Sequence, residues 1–131
     1  MEGVMKLVAE TDYYRCEIDR SKNRMCLIYK GLWASQKQVP DFVRHHAETV
    51  NQLSPGFTVL ADVRQMEGVV ISDIIEECQR YAIKAGIRKA ARVYAKPTFM
   101  EVQAERMHER SGMTSRSFYS VEEAEAWLDE T

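Results

Sequence analysis

Long apolar runs are missing from this chain. No stretch approaches the roughly 18 consecutive apolar residues of a membrane-spanning helix. Val4–Ala9 is short and broken by Lys6, and it lacks the charged-then-apolar order of a secretion signal. The expectation is a cytoplasmic protein with no transmembrane segment. Cysteine is scarce: Cys16, Cys26 and Cys78 are an odd set with no CxxC spacing, which argues against a disulfide framework or a structural zinc site. The six glycines are scattered, and none builds the GxGxxG or GxxxxGK[ST] loop that cradles phosphates. The three histidines, His45, His46 and His108, form no HExxH or comparable metal spacing. There is no GxSxG nucleophile elbow. An excess of positive charge is also absent. Eighteen Lys+Arg oppose twenty Asp+Glu, a formal net charge of −2, whereas a general nucleic-acid binder carries a basic face. These absences predict no metal, no cofactor and no nucleic-acid partner.

What is present describes a globular chain. Its 131 residues are 45% apolar and 29% charged, the composition and size of a single domain spanning 1–131. Residues 1–10 carry no assigned element. Tyr13–Asp19 alternates as a strand, with Tyr14, Cys16 and Ile18 on one side. Arg24–Lys30 follows after the turn Arg20-Ser21-Lys22-Asn23 and is apolar on both faces, as an interior strand is. Gly31 is expected to end it. Pairing Asp19 with Arg24, Ile18 with Met25, Cys16 with Leu27 and Tyr14 with Tyr29 sets apolar against apolar. That register leaves Cys16 and Cys26 on opposite faces. All three cysteines read as small buried hydrophobes.

Beyond the hairpin the pattern alternates helix and strand. Val39, Phe42, Val43, His46, Ala47, Val50 and Leu53 make one helical stripe, with Pro40 in the first turn and Pro55-Gly56 as the stop. Phe57–Val63 reads as a third strand. Ser72-Asp73 opens a second helix, with Ile74, Ile75, Cys78, Ala82 and Ala85 inward and Gly86 as its C-terminal cap. Ile87–Ala95 holds a fourth strand. A third helix runs from Pro97 or Thr98 to about Arg110, with Phe99, Val102 and Met107 inward. Ser117–Tyr119 is a short strand, and Ser120-Val121-Glu122-Glu123 is a capping box for a last helix carrying Ala124, Trp127 and Leu128. The order β-β-α-β-α-β-α-β-α predicts an α/β fold with one mixed, largely parallel sheet.

Candidate functional residues each have a plain structural alternative. Adjacent His45 and His46 point about 100° apart on a helix, so His46 reads as packed and His45 as exposed. Lys84, Arg88, Lys89, Arg92 and Lys96 form a basic cluster, either an acidic-partner site or a solvated rim that balances a helix C-terminus. Ser72 stands at a helix N-terminus, where free N–H groups favour negative charge and phosphorylation is tolerated. An ordinary N-cap also explains it.

Several stretches together resemble the SpoIIAA-like, STAS-related α/β domains, which are named for sulfate transporters and anti-sigma-factor antagonists. They are Glu17-Ile18-Asp19-Arg20, Lys30-Gly31-Leu32-Trp33, Pro55–Arg64, Ala85–Val93, and Phe118-Tyr119-Ser120 with Glu122–Leu128. In the antagonists a serine at the helix N-terminus after the third strand is phosphorylated within an Asp-Ser-Ser-Gly-like motif. Aligning Asp62 with the strand-end aspartate implies Ser72 for that place, although this chain reads Val70-Ile71-Ser72-Asp73 there. The resemblance is closer to the divergent branch also compared with CRAL-TRIO lipid-binding proteins. It implies a non-enzymatic regulatory or protein-interaction module, with Ser72, Asp73 and Asp62 as phosphoacceptor or partner contact. A homodimer is one form of this reading. A carrier of a small apolar molecule or lipid is the alternative, with Cys26, Ile28 and Trp33 as apolar interface or ligand surface. An enzyme using Asp62, His45 or Cys78 is a third reading, without supporting spacing.

Overall fold

The computed structural model describes residues 5–130 apart from 70, 71, 98–100, 103, 104, 107, 108, 110 and 111. Its elements are β1 (Met5–Glu10), β2 (Tyr14–Asp19), β3 (Arg24–Trp33), a 3-10 turn (Gln36–Gln38), α1 (Phe42–Val50), β4 (Thr58–Val69), α2 (Ser72–Ala85), β5 (Lys89–Val93), β6 (Ser115–Phe118) and α3 (Val121–Asp129). Described positions between 101 and 109 are helical too, within the span expected for the helix after β5. Of that helix's expected core residues, Phe99 and Met107 lie outside the described residues. Val102 is 42% exposed and is not core.

One six-stranded sheet runs in the order β1-β2-β3-β4-β5-β6. The pairings of β2 with β1 and β3 are antiparallel, and those linking β3, β4, β5 and β6 are parallel. The sheet is mixed and largely parallel, as the alternation of elements predicts. The hairpin register is also as expected: Asp19 faces Arg24, Ile18 Met25, Cys16 Leu27 and Tyr14 Tyr29. β1 is an addition to the expected order. It is an edge strand whose Met5 and Leu7 are exposed, so its backbone ladder to β2 defines it and no apolar periodicity announces it.

Three boundaries differ from expectation. β3 passes through Gly31, which takes φ +73°, and continues to Trp33. β4 runs on through Arg64–Val69 because these polar-looking residues ladder with Lys30–Trp33 across two register shifts. α1 begins at Phe42, with Asp41 as its N-cap and Pro40 outside the first turn, because Val39 closes the preceding 3-10 turn. At the end of α2, Gly86 takes φ +99°, and a Cβ there would sit 3.0 Å from that of Pro55. Its carbonyl also accepts from Gly56 N at 2.7 Å.

Each face of the sheet carries its own core. On one, α1 and α2 press Phe42, Val50, Ile75, Cys78 and Ala82 onto Cys16, Met25, Leu27, Val59, Ala61 and Ala90. On the other, Ala124 and Leu128 of α3 cover Leu60, Ala91, Val93 and Phe118, with Cys26 packed beside them. The doubly apolar β3 is therefore an interior strand with both faces covered. α3 begins at Ser120, whose Oγ accepts from Glu123 N at 3.3 Å. The Ser120 hydroxyl in turn donates to Glu122 Oε2 at 2.9 Å.

A buried arginine fastens α3 to the sheet. Arg24 is 2% exposed. Its Nε donates to Thr58 Oγ1 at 2.8 Å, Nη1 to Glu125 Oε1 at 2.9 Å and Nη2 to Asp129 Oδ1 at 2.7 Å. The Arg24 hydrogen bond holds the Asp129 carboxyl below its ordinary range. A buried charge is tolerated when its hydrogen bonds are made and its counter-charge is close. The double substitution Glu125→Gln, Asp129→Asn leaves this guanidinium with neutral acceptors only. It is expected to lower stability in urea by about 2–4 kcal/mol. Arg24→Met should lose less, since it removes the charge along with its desolvation cost. Equal losses would assign the effect to packing alone.

Candidate functional site

The residues expected at a phosphoacceptor site are distributed. Ser72 opens α2, three positions after Val69 ends β4. Asp73 is exposed in the first turn. Asp62 lies well inside β4 and is not at its end. It follows Leu60 by two residues, which places it on the α3 face, whereas α2 packs on the other. Its carboxylate accepts from Arg64 Nε at 2.9 Å and Nη2 at 2.7 Å. Ser72 and Asp62 therefore do not share a site.

Nor do Cys26, Ile28 and Trp33 form one surface. Cys26 packs beside the α3 core. Ile28 is half-buried, between Arg15 of β2 and Asp62 of β4. Trp33 is fully buried in the opposite core, edge-on to Phe42 and Tyr14. Its indole Nε1 donates to the carbonyls of Tyr13 and Lys30, both at 3.2 Å. The expectation of a continuous apolar face fails here because side chains alternate along β3: Cys26 and Ile28 share one face, and Trp33, an odd number of residues further on, falls with Met25 and Leu27 on the α1 side.

The nucleophilic and basic side chains have structural settings. Burial pushes the thiols of Cys16, Cys26 and Cys78 up to about 12, so all three stay protonated near neutral pH. The Tyr14 hydroxyl lies 2.6 Å from His45 Nδ1. Burial also raises Tyr14 to about 12, so the phenol stays protonated near neutral pH, and the direction of its bond to Nδ1 follows the tautomer of His45. His46 is buried on the inward stripe of α1, and desolvation lowers it to about 4. Among the described residues no three His, Cys, Asp or Glu side chains group as a metal site.

The basic cluster separates into different roles. Arg88 donates to the carbonyls of Leu128 and Glu130, and Lys89 to that of Trp127. These cations thus meet the open carbonyls at the C-terminus of α3, where a helix dipole favours positive charge. Lys89 also sits 4.4 Å above the Trp127 ring. Lys84 and Lys96 are exposed. Arg92 is buried and reaches Ser115 and Ser117. Sequence reasoning placed Arg92 on the rim with its neighbours. The missed signal was its period-two position between Ala90 and Tyr94, both inward on β5's strand line.

α1 and α2 leave a cleft of about 230 Å³ between them, lined by Val43, His46, Ala47, Cys78 and Tyr81, with exposed Glu77, Arg80 and Lys84 at its rim. Among the described residues, no helix is long and apolar enough to cross a membrane.

Comparison with known proteins places this arrangement. A protein from Shewanella loihica PV-4, described as an uncharacterized protein from the DUF3478 family with a SpoIIAA-like fold, superposes with a TM-score of 0.64. The match covers 92% of this chain and 97% of that one. This fold is SpoIIAA-like. Sequence identity is only 12%, so the likeness speaks for the fold alone. No family model matches the chain, and no curated protein matches it significantly.

His46 gives a pH test of this geometry. Its pKa falls from 6.5 to about 4 on folding, so between those values the unfolded chain binds a proton that the native chain refuses. Native stability is therefore full above about pH 6.5 and declines as pH falls toward 4, by about 3 kcal/mol in total. Urea midpoints from pH 7 to 4 should show this decline, and His46→Leu should flatten it. An equally steep decline in His46→Leu would assign it to other groups.

Proposed function

We propose that this chain is a non-enzymatic protein-interaction module of the SpoIIAA-like, STAS-like kind. The observation that carries this reading is the end of the β3–β4 pair that runs on past its neighbouring strands. β2 pairs with β3 only as far as Tyr29, and β5 pairs with β4 only as far as Asp62. Beyond those points Lys30–Trp33 and Gln65–Val69 continue as a two-stranded parallel ribbon. Leu32 is 45% exposed on it, and the chain passes from its tip to the start of α2 at Ser72. An exposed apolar side chain beside a helix N-terminus suits recognition of a protein surface, and added negative charge at that terminus is favoured. The raised thiols and the buried, neutral His46 support the non-enzymatic part of the reading, because neither is poised for nucleophilic or acid–base work.

The test compares affinity capture by the native chain, Leu32→Glu, Ser72→Asp and Ser72→Ala. A partner held by the native chain should be lost at least tenfold with Leu32→Glu. The two Ser72 variants should shift its affinity in opposite directions. Equal capture by all four folded chains would remove this surface from consideration.

The cleft between α1 and α2 supports a second reading, as a carrier of a small apolar molecule. Its volume of about 230 Å³ is below the roughly 300–1,000 Å³ of sites for drug-sized ligands, so the cargo would be short. Short-chain fatty acids in large excess should raise the Tm of the native chain. No rise would count against this reading.

A further inference from the structure

Two arginines are buried among the described residues, and they are satisfied differently. Arg24 meets two carboxylates. Arg92, 5% exposed, meets none within ion-pair distance among the described residues. Its Nη1 donates to Ser115 Oγ at 3.1 Å and its Nη2 to Ser117 Oγ at 3.0 Å. Its Nε is buried and makes no hydrogen bond among the described residues. The Tyr94 hydroxyl lies within hydrogen-bonding reach of the guanidinium, and Glu105 and Glu101 act on it electrostatically, but Glu101 accepts from the Tyr119 hydroxyl at 2.8 Å and Glu105 is exposed. Burial without a carboxylate lowers the guanidinium pKa, which is the reverse of what a satisfied ion pair does.

A cation held only by hydroxyls, with its Nε–H unpartnered, is an expensive way to fill a core. The leftover donor calls for an acceptor. The two serines add to it, because a hydroxyl that accepts from arginine still has its own proton to give. Arg92 and Ser117 are the next-to-last residues of β5 and β6, which are parallel and paired with each other. Ligands of open α/β sheets bind beyond the carboxyl ends of such strands.

The geometry points to an oxyanion-binding site in which Arg92 Nε–H, Ser115 Oγ–H and Ser117 Oγ–H receive the carboxylate or phosphate group of a small molecule. Arginine's planar fork suits either group. The site is on β5 and β6, away from the ribbon of the interaction reading, and does not depend on it.

The arginine Nε–H signals of the ¹⁵N-labelled full chain report on the site directly, with the Arg92 signal identified by its loss in Arg92→Met. Inorganic phosphate and acetate are titrated in separate arms at constant ionic strength. At least one is expected to move the Arg92 signal and to raise Tm by about 4–8 °C at tenfold excess over its Kd. The tighter arm names the group as phosphate or carboxylate. Arg92→Met should show no anion-dependent rise and should melt no lower than the native chain without anion, since it removes a buried charge that lacks a counter-ion. The proposal is overturned if neither anion moves the signal, or if Arg92→Met keeps the native rise. Should Arg92→Met fail to fold, Ser115→Ala, Ser117→Ala carries the test. Anion affinity at least fivefold weaker is expected there, and unchanged affinity overturns the proposal.

Discussion

The parallel pairing of β3 with β4 is the constraint on which the rest of this molecule depends. It runs from Arg24 opposite Thr58 to Trp33 opposite Val69. Parallel neighbours cannot be joined by a tight turn, so the chain must leave the sheet and return. The 3-10 turn and α1 are that detour. The pair is also the floor of both cores. Alternate residues of β3 and β4 serve opposite faces, Leu27 and Val59 under α1 and α2, Cys26 and Leu60 under α3. A slip of one residue would exchange the two sets and set Arg24 against the α1–α2 core. The fold is held in register because both faces are occupied.

Charge is handled with the same economy of position. Arg24 is buried where the chain can bring Glu125 and Asp129 to it, so the electrostatic tie and the docking of α3 are one event. Arg88 and Lys89 meet the same C-terminal end of α3 through its carbonyls. Both termini of the last helix are thus fastened by different chemistry: Ser120 at the start, cations at the finish. Arg92 is the exception, a buried cation with hydroxyl partners and an idle Nε. That contrast within one sheet marks it as the group whose setting folding alone does not explain.

Much of the architecture is legible in the chain because it rests on local periodicity. The facing of Cys16 by Leu27 and Tyr14 by Tyr29 follows from matching apolar positions across a short turn. The start of α3 after Ser120 follows from capping chemistry. The candidate site was less legible. Asp62 looks like a strand end because Arg64–Val69 is polar and glycine-bearing, yet those residues are strand because Lys30–Trp33 lies beside them. β1 is invisible for a similar reason, since its partner is β2 and its own Leu7 is exposed. Arg92 was legible only as a charge, and its burial follows from period-two placement between two inward neighbours.

By itself the sequence determined the class of fold, the hairpin register, the helix starts and the inward stripes, since each arises from contacts a few residues apart or from one dominant apolar pattern. Tertiary structure alone decided how far β3 and β4 extend, which face receives Met66, and whether Asp62 and Ser72 meet. It also decided which arginine finds a carboxylate. These outcomes depend on pairing between segments distant in sequence, where a single bulge redirects every side chain beyond it.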